Sequence, residues 1–567
     1  MKKFVLALIV LVAALAFAAC EATVEDDELA VFNWNIGADP RTLDPGLNGA
    51  SDGGNVINNT FEGLVREQDG EVLPGMASDW EVSEDGLQVT FDIREDAKWS
   101  DGSELTADDF VRSWLRAMDP RSLSEYSWIW YYTNVVGADE FATSESEDDE
   151  VLDGLADDVG IRSLEDGAVF QVDLKAPTNW FVSLMSFYHF MPVPEVATTE
   201  GEGQWAKVPE TAISNGPFVL TEYTVGEGLK LEKNENYWNA DDVGIDEING
   251  SFIDLATTAY ARYEADELDF IPSVPSAMIP GLRVASEEFH IFPLLGTYYV
   301  NFNLSGCDVG GPRDIGDRDN EIFCNSTLRK ALALSLDREG ITEALAAGQV
   351  PAGGFISPGF ADHNGEDFYE NSKDDSEIVT DDGAFDLAVQ YFEDAADELD
   401  MSVEELRTEL ESKEYLYNTS DGHRQVGELM QGMWEENLGF TIELGNEEWA
   451  LFQATRTDGN FDMSRGGWLT DFMDPSGMIG IFVQGNAYND PDYDNPAFEA
   501  KITEAQEATT AEDHFLALYD AHEIFMDDMP VFPIYHYNET ILVKGYVKGW
   551  ERSVLGSIDF SSAYIEK

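Results

Sequence analysis

The stretch Met463-Ser464-Arg465-Gly466-Gly467-Trp468-Leu469-Thr470-Asp471-Phe472-Met473-Asp474-Pro475 sets a guanidinium, two adjacent glycines, an indole and a carboxylate along residues 465 to 471. Gly466 and Gly467 lack Cβ atoms, so another backbone can come close to the main chain there. Trp468 offers a flat apolar face and one N–H donor. Arg465 is a fixed-charge fork suited to a carboxylate, and Asp471 an acceptor suited to an ammonium. A ligand with a strand-like backbone and opposite charges at its ends fits such a segment, and a short peptide has that form. A plainer role suits the same residues, that of a loop leaving a strand with Asp471 capping a helix. The rest of the chain has to decide between them.

At 567 residues and 43% hydrophobic composition the chain is long and apolar enough for two or three globular domains. Aromatics, at 12%, are plentiful enough for stacking surfaces as well as cores. Against 32 Lys+Arg stand 112 Asp+Glu, a formal net charge of −80. Such a surface excludes nucleic acid as a partner, because phosphate contacts need basic residues. Self-repulsion of this size is relieved by salt, and the acids are spread along the whole chain rather than confined to a tail. Both points predict a saline extracellular environment.

The N-terminus reads as a targeting segment. Lys2 and Lys3 form a positive start, and the apolar run Phe4 to Phe17 is too short for a membrane span. Phe17-Ala18-Ala19-Cys20 resembles the bacterial lipobox, which implies acylation of Cys20 after cleavage. The alternative is an ordinary signal peptide with an incidental cysteine. Residues 1–20 are then the signal, and 21–30 an acidic tether. Cys307 and Cys324 remain, an even number in an exported chain, and predict one disulfide worth roughly 3 kcal/mol.

Strand and helix patterns alternate irregularly, without the fixed period of a solenoid or propeller. Phe32 to Ile36 and Leu87 to Ile93 alternate with period two and predict strands, as does Thr441 to Leu444. Helical spacing covers Asn55 to Val65, Leu328 to Asp337, Ala384 to Leu399 and Asn495 to Ala508. Thr106 opens another helix with Asp108 and Asp109 in its first turn and Phe110, Trp114 and Met118 on one face. Ser144 to Asp158 reads as an acidic surface loop, and Pro530 to Tyr535 and Thr540 to Val543 as two extended segments. The mixture predicts an α/β fold with mixed sheets in two lobes.

A series of local motifs runs through the chain: Thr42-Leu43-Asp44-Pro45, Thr60-Phe61-Glu62-Gly63-Leu64, Ser78-Asp79-Trp80-Glu81-Val82, Ala97-Lys98-Trp99-Ser100-Asp101-Gly102, Asn215-Gly216-Pro217-Phe218, Tyr237-Trp238, Leu328-Arg329-Lys330-Ala331-Leu332 and Asp527-Asp528-Met529-Pro530-Val531. In this order they resemble the oligopeptide-binding proteins of ABC importers, in the peptide/nickel branch of the extracellular solute-binding proteins. The resemblance implies a bilobal, type II periplasmic-binding-protein-like fold with an extra subdomain. Residues 31–61, 196–297 and 537–567 would form lobe I, 62–195 the extra subdomain and 298–536 lobe II. The lobes would close over a peptide by hinge motion. Gly467-Trp468-Leu469 and Gly49-Ala50-Ser51 would pair with the ligand main chain from either side. Asp471 would hold the ligand's ammonium, and Arg465, Arg456 and His423 would receive its carboxylate at different ligand lengths. Trp449 and Tyr126 would line side-chain pockets, and His423, at a solvated edge, would gain a proton near neutral pH. The implied partners are short peptides and the membrane permease of the importer. The chain would be a monomer outside the cytoplasm, held to the membrane by its lipid, with no cofactor and no enzymatic activity.

Rival readings remain open. Gly49-Ala50-Ser51-Asp52-Gly53 matches the G-x-S-x-G of hydrolases, yet Asp44-Pro45-Gly46 precedes it where a nucleophile elbow needs an apolar strand. Asp314, Asp317, Asp319 and Glu321 lack EF-hand spacing. No HExxH or Walker motif is present. Within the resembling family a non-peptide ligand, such as a nickel complex or haem, is the alternative. The surplus acid would bias the cleft towards basic peptides.

Overall fold

The computed structural model describes residues 29–68, 71–198, 201–307, 321–373 and 384–566. Cys20, the tether up to residue 28 and the acids at 314, 317 and 319 lie outside the described residues.

A mixed sheet of 11 strands runs through the molecule, and two long antiparallel strands, Phe289–Phe302 and Val531–Val543, form its spine. Their pairing falls into two blocks. Phe289 to Pro293 lie opposite Leu542 to Asn538, and Thr297 to Asn301 opposite His536 to Val531, with the register broken between Pro293 and Thr297. The break falls just after Pro293, which has no N–H to give to the ladder. On one side of the break the sheet continues through Phe270–Ile271, Val31–Gly37, Glu247–Phe252 and the hairpin Phe218–Thr224 with Gly228–Lys233. On the other it continues through Met463–Leu469, Glu414–Asn418 and Glu443–Glu447.

A separate antiparallel sheet of four strands, in the order Ala77–Val82, Gln88–Ile93, Val169–Asp173, Ile161–Leu164, carries the helix Ala107–Met118. Thr106 and Asp109 form a reciprocal capping box at the helix start. Trp114 is fully buried, with its ring edge-on to Phe170 at 4.8 Å and its N–H donating to the Phe190 carbonyl. Cys307 and Cys324 form a disulfide.

Several elements differ from the sequence expectation. The helix expected from Asn55 runs over Ser51–Thr60, and Val65 instead begins the strand Val65–Gln68. Gly53 and Gly54 mask the early turn: a Cβ on Gly54 would stand 2.8 Å from the Tyr188 ring, so packing demands glycine at a helical position. Within the expected acidic loop, Asp149–Asp157 is a helix capped by Asp148 and pinned by buried Leu152. Pro530 to Tyr535 and Thr540 to Val543 belong to one strand, Val531–Val543, because Asn538 and Glu539 stay in the ladder opposite Pro293 and Phe292.

Candidate functional site

The strand Met463–Leu469 pairs along one edge with Phe302 to Gly296 over its whole length. Along the other edge only Met463 and Ser464 are paired, with Tyr415 and Leu416. From Arg465 to Leu469 that second edge has no strand partner among the described residues. Unpaired N–H and C=O groups of this kind form a template for an added strand. The edge opens into a cavity of about 670 Å³, within the range of ligand pockets.

All the residues expected at a binding site line this one cavity: Gly49, Ala50, Ser51 and Tyr126 on one wall, His423, Trp449 and Arg456 on another, and Arg465, Gly467, Trp468, Leu469 and Asp471 along the open strand. Ala50 caps the helix that starts at Ser51. Tyr488 donates to the Gly49 carbonyl at 3.2 Å and so ties that wall to the segment following the strand.

The charges at the two ends of the open strand are unbalanced. Asp471 is 8% exposed; its Oδ1 accepts from the Tyr126 hydroxyl at 3.2 Å and its Oδ2 is buried without a hydrogen-bond partner. Burial holds its carboxyl well above the usual carboxylate range, although the Tyr126 bond favours the charged form. No basic side chain pairs with it among the described residues. Arg465, six residues earlier in the chain, donates from Nη2 to the Tyr537 hydroxyl at 3.0 Å and lies 5.5 Å over the Tyr298 ring, while its Nε is buried without a partner. It makes no ion pair among the described residues. The cavity therefore presents an unmatched carboxylate at one end and an unmatched guanidinium at the other, both costly unless a ligand of opposite polarity lies between them.

The other expected carboxylate receptors differ in state. Arg456 is already paired with Asp490 at 2.9 Å, and burial pushes the Asp490 carboxyl up to about 6 despite that pairing. His423, in the first turn of the helix Asp421–Asn437, packs its ring 5.6 Å from that of Tyr298. Burial, and then the Arg465 charge, drive its pKa well below the ordinary imidazole value. The expected proton near neutrality is thus corrected: His423 is a neutral ring beside a fixed cation.

Two further local readings change. The Trp468 N–H is not free, since it donates to the Gly477 carbonyl at 2.7 Å, and its ring lies against Tyr488 and Trp128. The space left by the glycines is filled by protein: a Cβ on Gly466 would run into the Tyr299 ring, and one on Gly467 into the Tyr537 hydroxyl and Arg465. These glycines admit side chains across the sheet. Trp449 opens the helix Trp449–Thr457 and stacks on Phe452. Tyr488, Tyr537 and Trp128 were not singled out from the sequence. Tyr126-Ser127-Trp128 and Tyr535-His536-Tyr537, with aromatics at alternate positions, were the available signal.

Residues 71–490 match the model of the bacterial extracellular solute-binding proteins, family 5. The chain is 32% identical to the oligopeptide-binding protein OppA of Bacillus subtilis (strain 168) across the full length of both. It is 30% identical to the periplasmic murein peptide-binding protein MppA of Escherichia coli (strain K12), over 91% of this chain and 89% of that one. Among solved structures, OppA of Haemophilus influenzae in complex with the peptide RPPGFSPFR superposes with a TM-score of 0.82 at 28% identity, covering 95% of this chain and 100% of that one. Against an unliganded open form of MppA the TM-score is 0.60, at 27% identity and with 95% and 98% of the chains covered.

Proposed function

The chain belongs to the bacterial extracellular solute-binding proteins of family 5, and we propose that it captures short peptides between two lobes and delivers them to the permease of an ABC importer. Its relatives are binding proteins, and the fold is the type II periplasmic-binding-protein kind with mixed sheets. The carrying observation is the pair of unmatched charges at the ends of an open strand edge. Asp471 takes the ligand's α-ammonium, Arg465 its carboxylate, and the free edge from Arg465 to Leu469 hydrogen-bonds its main chain. The ligand then runs antiparallel to the strand. Backbone pairing supplies a share of the affinity that does not depend on side-chain identity, which suits uptake of mixed peptides. An anionic ligand would leave Asp471 buried and unpaired, which disfavours it.

Closure accompanies this role. The stronger match to a peptide complex than to an open form supports a closed cleft here, with the Tyr126–Asp471 and Tyr488–Gly49 hydrogen bonds joining its two sides. We divide the chain into lobe I (31–61, 196–297, 537–567), an extra subdomain (62–195) and lobe II (298–536), hinged where the long strands break register at Pro293 to Thr297. We also assign the mature chain as a monomer anchored through a lipid on Cys20 outside the cytoplasm. Release of a Cys20→Ser variant from the membrane fraction supports the anchor, and retention overturns it.

Calorimetric titration with a tripeptide, its N-acetyl form and its C-terminal amide tests the ligand reading. Tight binding of the free peptide alone supports it. Equal binding of all three forms, or of none, removes it.

A further inference from the structure

A second polar feature of the cavity lies apart from the two end charges. The hairpin Glu551–Arg552 with Ile558–Asp559 turns through Gly556, whose φ of +98° requires glycine, and is fastened to the sheet where Leu295 N–H donates to the Val554 carbonyl at 3.2 Å. This places Arg552 in the cavity wall with its side chain only 3% exposed. Its Nε side is paired with Glu539, and Nη1 is buried without a hydrogen-bond partner. The Ser553 hydroxyl donates to Glu67 in the same wall. The Cβ position of Gly556 lies 3.1 Å from Leu469 Cδ1 and 3.8 Å from Arg552 Nη1, so the guanidinium and Leu469 flank the same glycine, at the end of the open strand nearer Asp471.

We propose that Arg552 is a specificity-determining residue, whose Nη1 donates to the side-chain carbonyl of an asparagine or glutamine at one of the first two positions of the ligand. The proposal rests on the peptide reading above, because the antiparallel course from Asp471 to Arg465 is what brings the ligand's amino-terminal residues to Leu469. The chemistry selects an amide. Arg552 is neutralised by Glu539, and Glu67 adds a further acid, so a ligand carboxylate meets net negative charge. A leucine leaves the buried donor unmet, and a lysine, although the acids attract it, brings only donors and no acceptor for Nη1. An amide supplies one acceptor to Nη1 and donors towards the neighbouring carboxylates. The wall thus favours neutral polar side chains in a protein whose overall charge points to basic ones.

The test is calorimetry at high salt, which screens the overall charge, on alanine tripeptides carrying Gln, Glu, Leu or Lys at each position in turn. Wild type is expected to bind the Gln peptide about tenfold more tightly than its Leu and Lys counterparts at position one or two, with no ranking at position three. In Arg552→Lys, which keeps the pairing with Glu539 but lacks Nη1, the ratio between Gln and Leu falls towards unity. If that variant fails to fold, Arg552→Gln with Glu539→Gln replaces the ion pair by a hydrogen-bonded one and carries the same expectation. No preference in wild type, or a preference that survives both substitutions, overturns the proposal while leaving peptide binding intact. Failure of wild type to bind any of the peptides sinks the peptide reading, and this one with it.

Discussion

At the scale of the residue, the weight falls on Asp471. Its buried carboxyl has one neutral hydrogen bond, and on the proposed reading the ligand's ammonium is what makes it tolerable. Asp471→Ala is expected to weaken peptide binding by about 3–5 kcal/mol, because the ligand's ammonium is then buried without a counter-charge. Titration calorimetry reads this directly, and wild-type affinity in the variant would remove the assignment. The raised carboxyl pKa adds a sign. On that reading the ligand's ammonium pairs with the ionised form only, so affinity falls as pH drops below the raised value, and falls again above about pH 8, where the α-ammonium loses its own proton. Gly466→Ala places a methyl against the Tyr299 ring and should cost about 1–3 kcal/mol in stability, read as a lowered thermal midpoint. The charges themselves were legible in the sequence, since Arg465 and Asp471 announce their chemistry by type and spacing. What neighbours do to them was not. The neutral state of His423 depends on Arg465 and Tyr298, the engaged N–H of Trp468 on a carbonyl nine residues on, and the filled glycine space on rings from other strands.

At the scale of the element, the helix Ala511–Asp528 shows how the site is held from behind. His514 directs Nδ1 to the Ala505 carbonyl at 2.8 Å and Nε2 to Asp474 Oδ2 at 3.0 Å, so only a doubly protonated ring donates to both. Its ring stacks on Trp180 at 4.8 Å, and Asp474 follows the strand Met463–Leu469 by a short loop. Burial opposes charge on both groups, but their mutual attraction prevails: His514 is raised above, and Asp474 lowered below, its ordinary value. The contribution of the histidine is complete below the ordinary imidazole value and is lost as pH rises through its raised one. That of the aspartate is present above the ordinary carboxylate value and is lost as pH falls through its lowered one. His514→Gln should therefore cost about 1–3 kcal/mol near pH 6 and progressively less in alkaline solution, measured by denaturant unfolding across pH. A deficit unchanged with pH would overturn the ion pair. Regular, amphipathic elements such as Ala107–Met118 and Pro496–Glu507 were readable from periodicity and caps. The helix Ser51–Thr60 was misplaced because packing against Tyr188 puts glycines at helical positions, a tertiary demand that local propensity hides.

At the scale of the whole molecule, charge and closure act against each other. The chain carries a formal net charge of −80, so its carboxylates far outnumber any cations that could pair with them. The ion pairs it does make include exposed clusters, such as Arg121 with Asp119, Asp149 and Asp153, that contribute little individually. The proposed closure of two lobes over a ligand would raise the repulsion further, because it shortens distances between like charges. Salt shortens its reach, from a Debye length of about 10 Å at 0.1 M to about 3 Å at 1 M. Both the thermal midpoint and peptide affinity are therefore expected to rise with NaCl up to molar concentrations, and the affinity gain should be seen chiefly as slower dissociation from the closed form. Sucrose at matched osmolality separates screening from preferential exclusion: it strengthens burial without screening charge, so a matching rise in sucrose would assign the effect to exclusion instead. A midpoint flat or falling between low and molar NaCl would mean that the carboxylates are already compensated, and the saline environment inferred from composition would go with it.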